Sequence, residues 1–409
     1  MAGLTARETG QVRRRRVFYI PGFDPLQTRR YRQFYRSEGP AQAAISGYVL
    51  EVGAKRGDAA HGWSVTAQID GEGVEAEVEV LAWADIISGS MRRTILATYG
   101  QMLRTAWIYV ASGALFRLGR LRKGPTLAAL YPVVMLSLQA GVAGLSGWGL
   151  GLGLAAAVPG WAGVMLGLGA GLVLAVAVLR LFQRADRRFL AYYLMHDYAF
   201  SAGHWGAYPP EMEARMAVFG ARIRAALDSG ADEVLVVGHS SGAILGVSIL
   251  SDLIRAGVPA QGPVLSFLTL GQVVPMVSFL PEARRLRGDL AYLSAREEVT
   301  WVDVTAPGDG CAFALCDPVA VTGVAPAGKR WPLVISAAFS QTFSPERWRQ
   351  MRFRWFRLHF QYMCAFDRPG DYDYFRITAG PLTLGARYRG RSPSKSRIER
   401  ALSGHRSVA

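Results

Sequence analysis

The sequence predicts an α/β fold: a mainly parallel sheet with helices on both faces, plus a β-hairpin region and a two-helix transmembrane insertion. Three observations carry this. Beyond residue 190, β-prone apolar runs alternate with helical patterns, as crossover-connected parallel strands require. Val74, Ala76, Val78 and Val80 alternate strictly with Glu75, Glu77 and Glu79, which marks a strand with one wet face. Between Gly124 and Leu179, 56 consecutive residues include no Asp, Glu, Lys, Arg or His, against the roughly 20 apolar residues that cross a bilayer once.

The N-terminal strand is Val17–Ile20, closed by Pro21-Gly22-Phe23-Asp24-Pro25, and a polar helix is expected over Thr28–Ser37. Strands follow at Gly47–Val52 and Trp63–Ile69, and the turn Asp70-Gly71-Glu72-Gly73 joins the latter to Val74–Val80. Apolar residues at three- and four-residue spacing predict one amphipathic helix over Met91–Phe116, with Arg92, Arg93 and Arg104 off its apolar stripe. The later strands are expected at Glu233–Val237, Val264–Leu270, Val299–Val304 and Phe353–Leu358, with a short apolar run at Leu190–Leu194 and helices over Glu211–Ser229 and Ser241–Ala256. The implied segments are 1–83, the N-terminal part of the soluble domain; 84–123, juxtamembrane helix; 124–182, transmembrane hairpin; 183–390, the main α/β core; and 391–409, a basic solvated tail.

Two spans fit the uncharged stretch, Leu127–Leu150 and Ala162–Phe182, turning at Val158-Pro159-Gly160-Trp161. Gly163, Gly167 and Gly171 fall on one helical face, where small residues let two helix backbones approach. Arg117, Arg120, Arg122 and Lys123 precede the hairpin, and Arg180, Arg184, Arg187 and Arg188 follow it. Basic flanks on both sides place both soluble portions in the cytoplasm, as in a bacterial inner membrane. The net charge of +15 is then matched to an anionic membrane surface, and no nucleic acid is expected as a partner. With 51% hydrophobic and 19% charged residues, the chain is excluded from the disordered class. Cys311, Cys316 and Cys364 are too few for a disulfide framework or a four-ligand zinc site, so free thiols and no metal are expected. Met1–Arg16 has basic residues but no apolar core, and no secretory signal is expected there.

The chemical signal is Val234-Leu235-Val236-Val237-Gly238-His239-Ser240-Ser241-Gly242, a G-x-S-x-G turn fed by four branched apolar residues and left by a small-residue helix. The sharp strand-to-helix bend needs Gly238 and Gly242 because a Cβ at either position would collide with its neighbours. It projects the Ser240 hydroxyl as a nucleophile and aims the Ser241 N–H, at a positive helix end, toward a developing oxyanion. His239 is expected to pack rather than react.

On this elbow and its context the chain resembles the α/β-hydrolase superfamily, most closely its serine lipases and esterases. The resemblance implies a second oxyanion donor after an early strand, the Phe23 amide, with Pro21-Gly22 standing where many members have His-Gly. It also implies the chain order Ser, acid, His. Of the histidines after Ser240, His405 lies in the basic tail, which leaves His359 as general base; the acid is Asp309, with Asp303 and then Asp317 as alternatives. The expected function is a membrane-anchored serine hydrolase that cleaves acyl esters of lipids or other amphiphiles through an acyl-enzyme, without a cofactor. A thioesterase or amidase with the same triad, or a catalytically silent hydrolase-fold membrane scaffold, are the alternatives.

Overall fold

The computed structural model describes residues 5–55, 60–91 and 94–408; Met1, Arg92, Arg93 and Ala409 lie outside the described residues. The chain forms two compact units. The first comprises Met1–Ser88, Gly113–Pro125 and His204–Ala409; the second comprises Gly89–Ser112 and Thr126–Gly203.

The first unit is built on an eight-stranded sheet: β1 (Arg14–Ile20), β2 (Val49–Val52), β3 (Gly62–Ile69), β4 (Glu72–Val80), β5 (Glu233–His239), β6 (Val264–Leu270), β7 (Val299–Thr305) and β8 (Leu333–Ser336). The spatial order is β2-β3-β4-β1-β5-β6-β7-β8. The first two pairings are antiparallel, and every pairing from β4 through β8 is parallel. The period-two strand is therefore one arm of a hairpin, as its pattern requires, while its other edge carries the parallel half of the sheet. Every residue of β5 is buried, as expected of a parallel strand covered on both faces. On one face Tyr19, Leu235, Val237, Leu268 and Val302 join an aromatic layer that includes Tyr31, Tyr35, Tyr374 and Phe375. On the other lies the helix Gly242–Arg255, so close that a Cβ at Gly246 would stand 2.6 Å from the Phe267 ring.

The edge strand differs from the sequence expectation. Phe353–Leu358 is not a strand: residues Trp355–His359 form a short helix, with Leu358 and His359 turned inward and Phe353 75% exposed. Its aromatic-basic alternation imitates period two, but the helical turn buries Leu358 and His359 and leaves Phe353 and Trp355 exposed. The last strand is instead the four-residue β8, too short to announce itself by pattern. The single helix expected over Met91–Phe116 is divided: Ala84–Met91, then Ile95–Ala111 capped by the Thr94 hydroxyl, then Ala114–Leu121 after Gly113 at φ 69°. The run at Leu190–Leu194 belongs to a helix, Ala191–Ala202.

The tail expected to be solvated is laid against the first unit as far as residue 408. Ile398 N–H donates to Leu315 O at 2.7 Å and Ile398 O accepts from Asp317 N–H at 2.9 Å. The fully buried Arg287 donates through Nε to Ser407 O at 2.6 Å. Backbone pairing and one buried guanidinium dock a segment whose composition reads as solvated.

The second unit contains two helices long and apolar enough to cross a membrane, Lys123–Ala157 (its first residues belonging to the first unit) and Gly160–Arg184. The chain turns between them at Val158–Pro159. Gly163, Gly167 and Gly171 are the buried residues of the second helix. A Cβ at Gly167 would stand 2.4 Å from Gly151 O, and one at Gly171 2.5 Å from Gly147 O. Helices Ile95–Ala111 and Ala191–Ala202 complete this unit, with Met102, Leu136, Tyr192 and Met195 in its core. The boundary expected at residue 183 thus falls later in the chain, since 183–203 packs with the hairpin helices.

Candidate active site

The elbow takes its shape from β5 running straight into helix Gly242–Arg255. Ser240 is held at φ 56°, a left-handed conformation that a β-carbon makes costly. The bend is pinned on both sides: Ser240 N–H donates to Leu270 O at 2.9 Å, and Ser240 O accepts from Ala243 N–H at 3.1 Å. Gly238 and Gly242 are required for the reason the sequence suggests. A Cβ on the first would lie 2.7 Å from Ala243 Cα, and one on the second 2.0 Å from Ile20 O. Ser240 itself is half-buried.

Past the end of β7, the loop Ala306-Pro307-Gly308-Asp309 folds back through Asp309 N–H to Ala306 O at 2.9 Å, burying the Asp309 carboxylate. Its Oδ2 meets His359 Nδ1 at 2.8 Å and accepts the Tyr362 hydroxyl at 3.0 Å. Its Oδ1 accepts Cys311 N–H at 2.9 Å. Tyr362 is fixed in turn by the Ala306 N–H at 3.0 Å. The pair rests on Gly271, at φ 54°, where a Cβ would stand 2.7 Å from the Tyr362 ring and 3.3 Å from both Asp309 Oδ2 and His359 Cε1. Gly271 directly follows Leu270, the residue whose carbonyl holds the Ser240 amide, so Ser240 and the Asp–His pair are mounted on consecutive residues at the end of β6. Among the described residues the Ser240 hydroxyl and His359 Nε2 each make no hydrogen bond.

Of the three carboxylates singled out in the sequence, only Asp309 bonds to His359. Asp303 is buried inside β7, accepting the Thr269 hydroxyl at 2.6 Å, and burial pushes its pKa up to about 8. Asp317 caps the helix Pro318–Thr322 and pairs with Lys329 at 2.6 Å.

His239 does more than fill space. Its Nε2 meets His359 O at 2.8 Å, with the rings 4.8 Å apart. Desolvation, and then the neighbouring His359, lower its pKa to about 3, so the ring is neutral and Nε2–H is the donor. It anchors the main chain of His359.

The loop Pro21-Gly22-Phe23 approaches Ser240 closely enough that a Cβ at Gly22 would stand 2.9 Å from Ser240 Cβ. Its carbonyls are drawn away by Trp83 Nε1–H to Pro21 O at 2.9 Å and Gln27 Nε2–H to Gly22 O at 3.0 Å. Trp83 N–H donates to Gln27 Oε1 at 2.8 Å and closes the brace. The Phe23 amide, expected to face an oxyanion, here donates to Ser241 Oγ at 3.0 Å. The Ser241 N–H makes no hydrogen bond among the described residues, and it stands at the positive end of the elbow helix.

Sequence reading missed Tyr362, Gln27, Trp83 and Cys311. None carries a spacing signal, because each reaches the site through tertiary packing. Asp309, Cys311 and His359 also offer one ligand atom each, all within 4.8 Å of one another. A cavity of about 720 Å³ lies behind the Asp309 loop, bounded by Gly308, Phe339, Trp348 and Arg391; Ser240 does not line it. Comparison of the chain with family models, curated proteins and solved structures finds no match.

Proposed function

We propose that this chain is a serine hydrolase of α/β-hydrolase type that cleaves acyl esters and is tethered to a membrane by its apolar helical hairpin. The observation that carries the reading is the buried Asp309–His359 pair, 2.8 Å apart, mounted beside a strained, glycine-flanked Ser240 in the chain order serine, acid, histidine. With Nδ1 engaged by Asp309, His359 is left with Nε2 to take the Ser240 proton as the hydroxyl attacks an acyl carbonyl, and to return it to the leaving alcohol. Asp309 holds the imidazole tautomer and stabilises its charged form; Tyr362 holds Asp309. Water then releases the acyl group by the same steps.

The oxyanion would be met by the Ser241 N–H, with the Phe23 amide reaching it directly or through the Ser241 hydroxyl, which it already touches. One such donor is worth ~3–4 kcal/mol of transition-state stabilisation. The Ser240–His359 hydrogen bond forms on substrate binding, since catalytic hydrogen bonds often tighten only in the complex. The anchor is supported by the side chains that the apolar helices leave uncovered, among them Leu145, Trp148, Leu168 and Leu172, each 63% or more exposed. Water does not tolerate so large an apolar surface; lipid does.

A second reading, a silent hydrolase-fold scaffold, is favoured by the Phe23 amide being taken up by Ser241. An activity-based fluorophosphonate separates the two. A serine hydrolase is labelled on the peptide containing Ser240, and Ser240→Ala and His359→Gln both abolish the labelling. An unlabelled wild-type protein that is folded and monodisperse sinks the catalytic reading and leaves the scaffold.

A further inference from the structure

We propose that Asp309, Cys311 and His359 form a binding site for a single borderline-soft divalent cation of the Zn²⁺ type, and that occupying it switches the hydrolase off. The binding half stands on the cluster alone; the switching half rests on the function proposed above. Three different donors, a thiol, an imidazole and a carboxylate, lie within 4.8 Å of one another. They come from two segments fifty residues apart, so sequence neighbourhood alone does not gather them. Cys311 is held to Asp309 by its own backbone N–H at 2.9 Å, which keeps its main chain beside the carboxylate.

A thiolate with imidazole and carboxylate suits Zn²⁺, whereas Mg²⁺ and Ca²⁺ prefer oxygen donors. Tetrahedral zinc needs its ligand atoms roughly 3.3–3.8 Å apart, from bonds of about 2.0–2.3 Å. The separations of up to 4.8 Å exceed this, so binding requires the Cys311 side chain, with its one torsion, to adjust. Tyr362, donating to Asp309 at 3.0 Å, supplies the outer hydrogen bond that orients a carboxylate ligand. Asp309 and His359 are buried while Cys311 is half-exposed, so the thiol is the point of entry.

Binding forms bonds from the cation to Sγ, one imidazole nitrogen and one carboxylate oxygen. The thiol proton leaves to solvent; the cation takes the place of the Asp309–His359 hydrogen bond at Nδ1, and the Nδ1 proton passes to Nε2, which can then no longer accept one. The base is then lost to Ser240.

Cobalt(II) is the probe, titrated into the full-length protein in detergent. The expected result is a thiolate-to-cobalt charge-transfer band that saturates at one equivalent and is bleached by Zn²⁺. Cys311→Ser removes the band, and Tyr362→Phe, which removes the outer hydrogen bond to Asp309, weakens binding about tenfold or more. Ser240→Ala, which removes hydrolysis, keeps the band, so failure of the hydrolase reading leaves this readout intact. As a check that needs no variant, Zn²⁺ should slow alkylation of Cys311, mapped by mass spectrometry, while leaving Cys364 unaffected. No band with wild-type protein, a band that survives in Cys311→Ser, or unprotected Cys311 overturns the site. In active protein, Zn²⁺ should abolish ester hydrolysis and a chelator restore it; tight binding without inhibition overturns the switch.

Discussion

Asp303 sits in a sheet interior with one oxygen on Thr269 and the other without a hydrogen-bond partner among the described residues. Trp301 Nε1–H donates to the same Thr269 hydroxyl at 3.1 Å, so the threonine must donate toward Asp303. Desolvation there holds the pKa at about 8 against an ordinary 3.8. The folded chain therefore keeps a proton that the unfolded chain has lost between pH 4 and 8, and stability falls as pH rises through that window. The slope is about 1.4 kcal/mol per pH unit where the two states differ by one proton. Denaturant melts at pH 5 and 8 should show Asp303→Asn less sensitive to pH than wild type; equal slopes refute a proton held at Asp303. At this scale the sequence was most legible where chemistry constrains the backbone, as at Gly238, Ser240 and Gly242. The Asp309–His359 pair was expected from the residue order that the resemblance to α/β-hydrolases implies, and the two side chains do meet. Nothing local distinguishes Tyr362 from the many other buried tyrosines, and the Phe23 amide could not be foreseen meeting a neighbouring hydroxyl.

Helices and strands were legible in proportion to their length and regularity. The β3–β4 hairpin and the two apolar helices declare themselves by unbroken periods, whereas β8 has four residues and Trp355–His359 a single turn. The glycine face of the hairpin is the clearest case of spacing becoming contact. Gly147 and Gly151 of one helix lie against Gly171 and Gly167 of the other, backbone on backbone, where a side chain has no room. Gly167→Leu is expected to force the helices apart and lower the melting temperature in detergent. Gly169→Leu, at a position with nothing within 4 Å, should leave it unchanged. Equal effects from the two substitutions would deny the helix pairing.

For the molecule as a whole, formal charge is a poor guide to where charge is spent. Arg15, from the basic N-terminal run, is buried against Glu233 at 2.7 Å and donates to Gly380 O and Leu382 O; Arg287 is buried against the C-terminal segment. That segment escaped the sequence reading because it docks through backbone hydrogen bonds, which composition does not record. Truncation after Lys395 strips the partners of Leu315, Asp317, Val321 and Arg287. It should lower the thermal midpoint by about 2–4 °C for each kcal/mol lost; an unchanged melt would show the docking to be inconsequential. One further consequence follows from β1 and β5 being neighbours in the sheet while Arg15 and Glu233 stand 218 residues apart in the chain. At ribosomal speeds of ~5–20 residues per second, β1 waits roughly 10–40 s for the partner strand that leads into Ser240. The whole apolar hairpin emerges during that wait. If it enters a bilayer as proposed, delivery to the membrane precedes completion of the sheet, and the cell never holds the finished fold untethered.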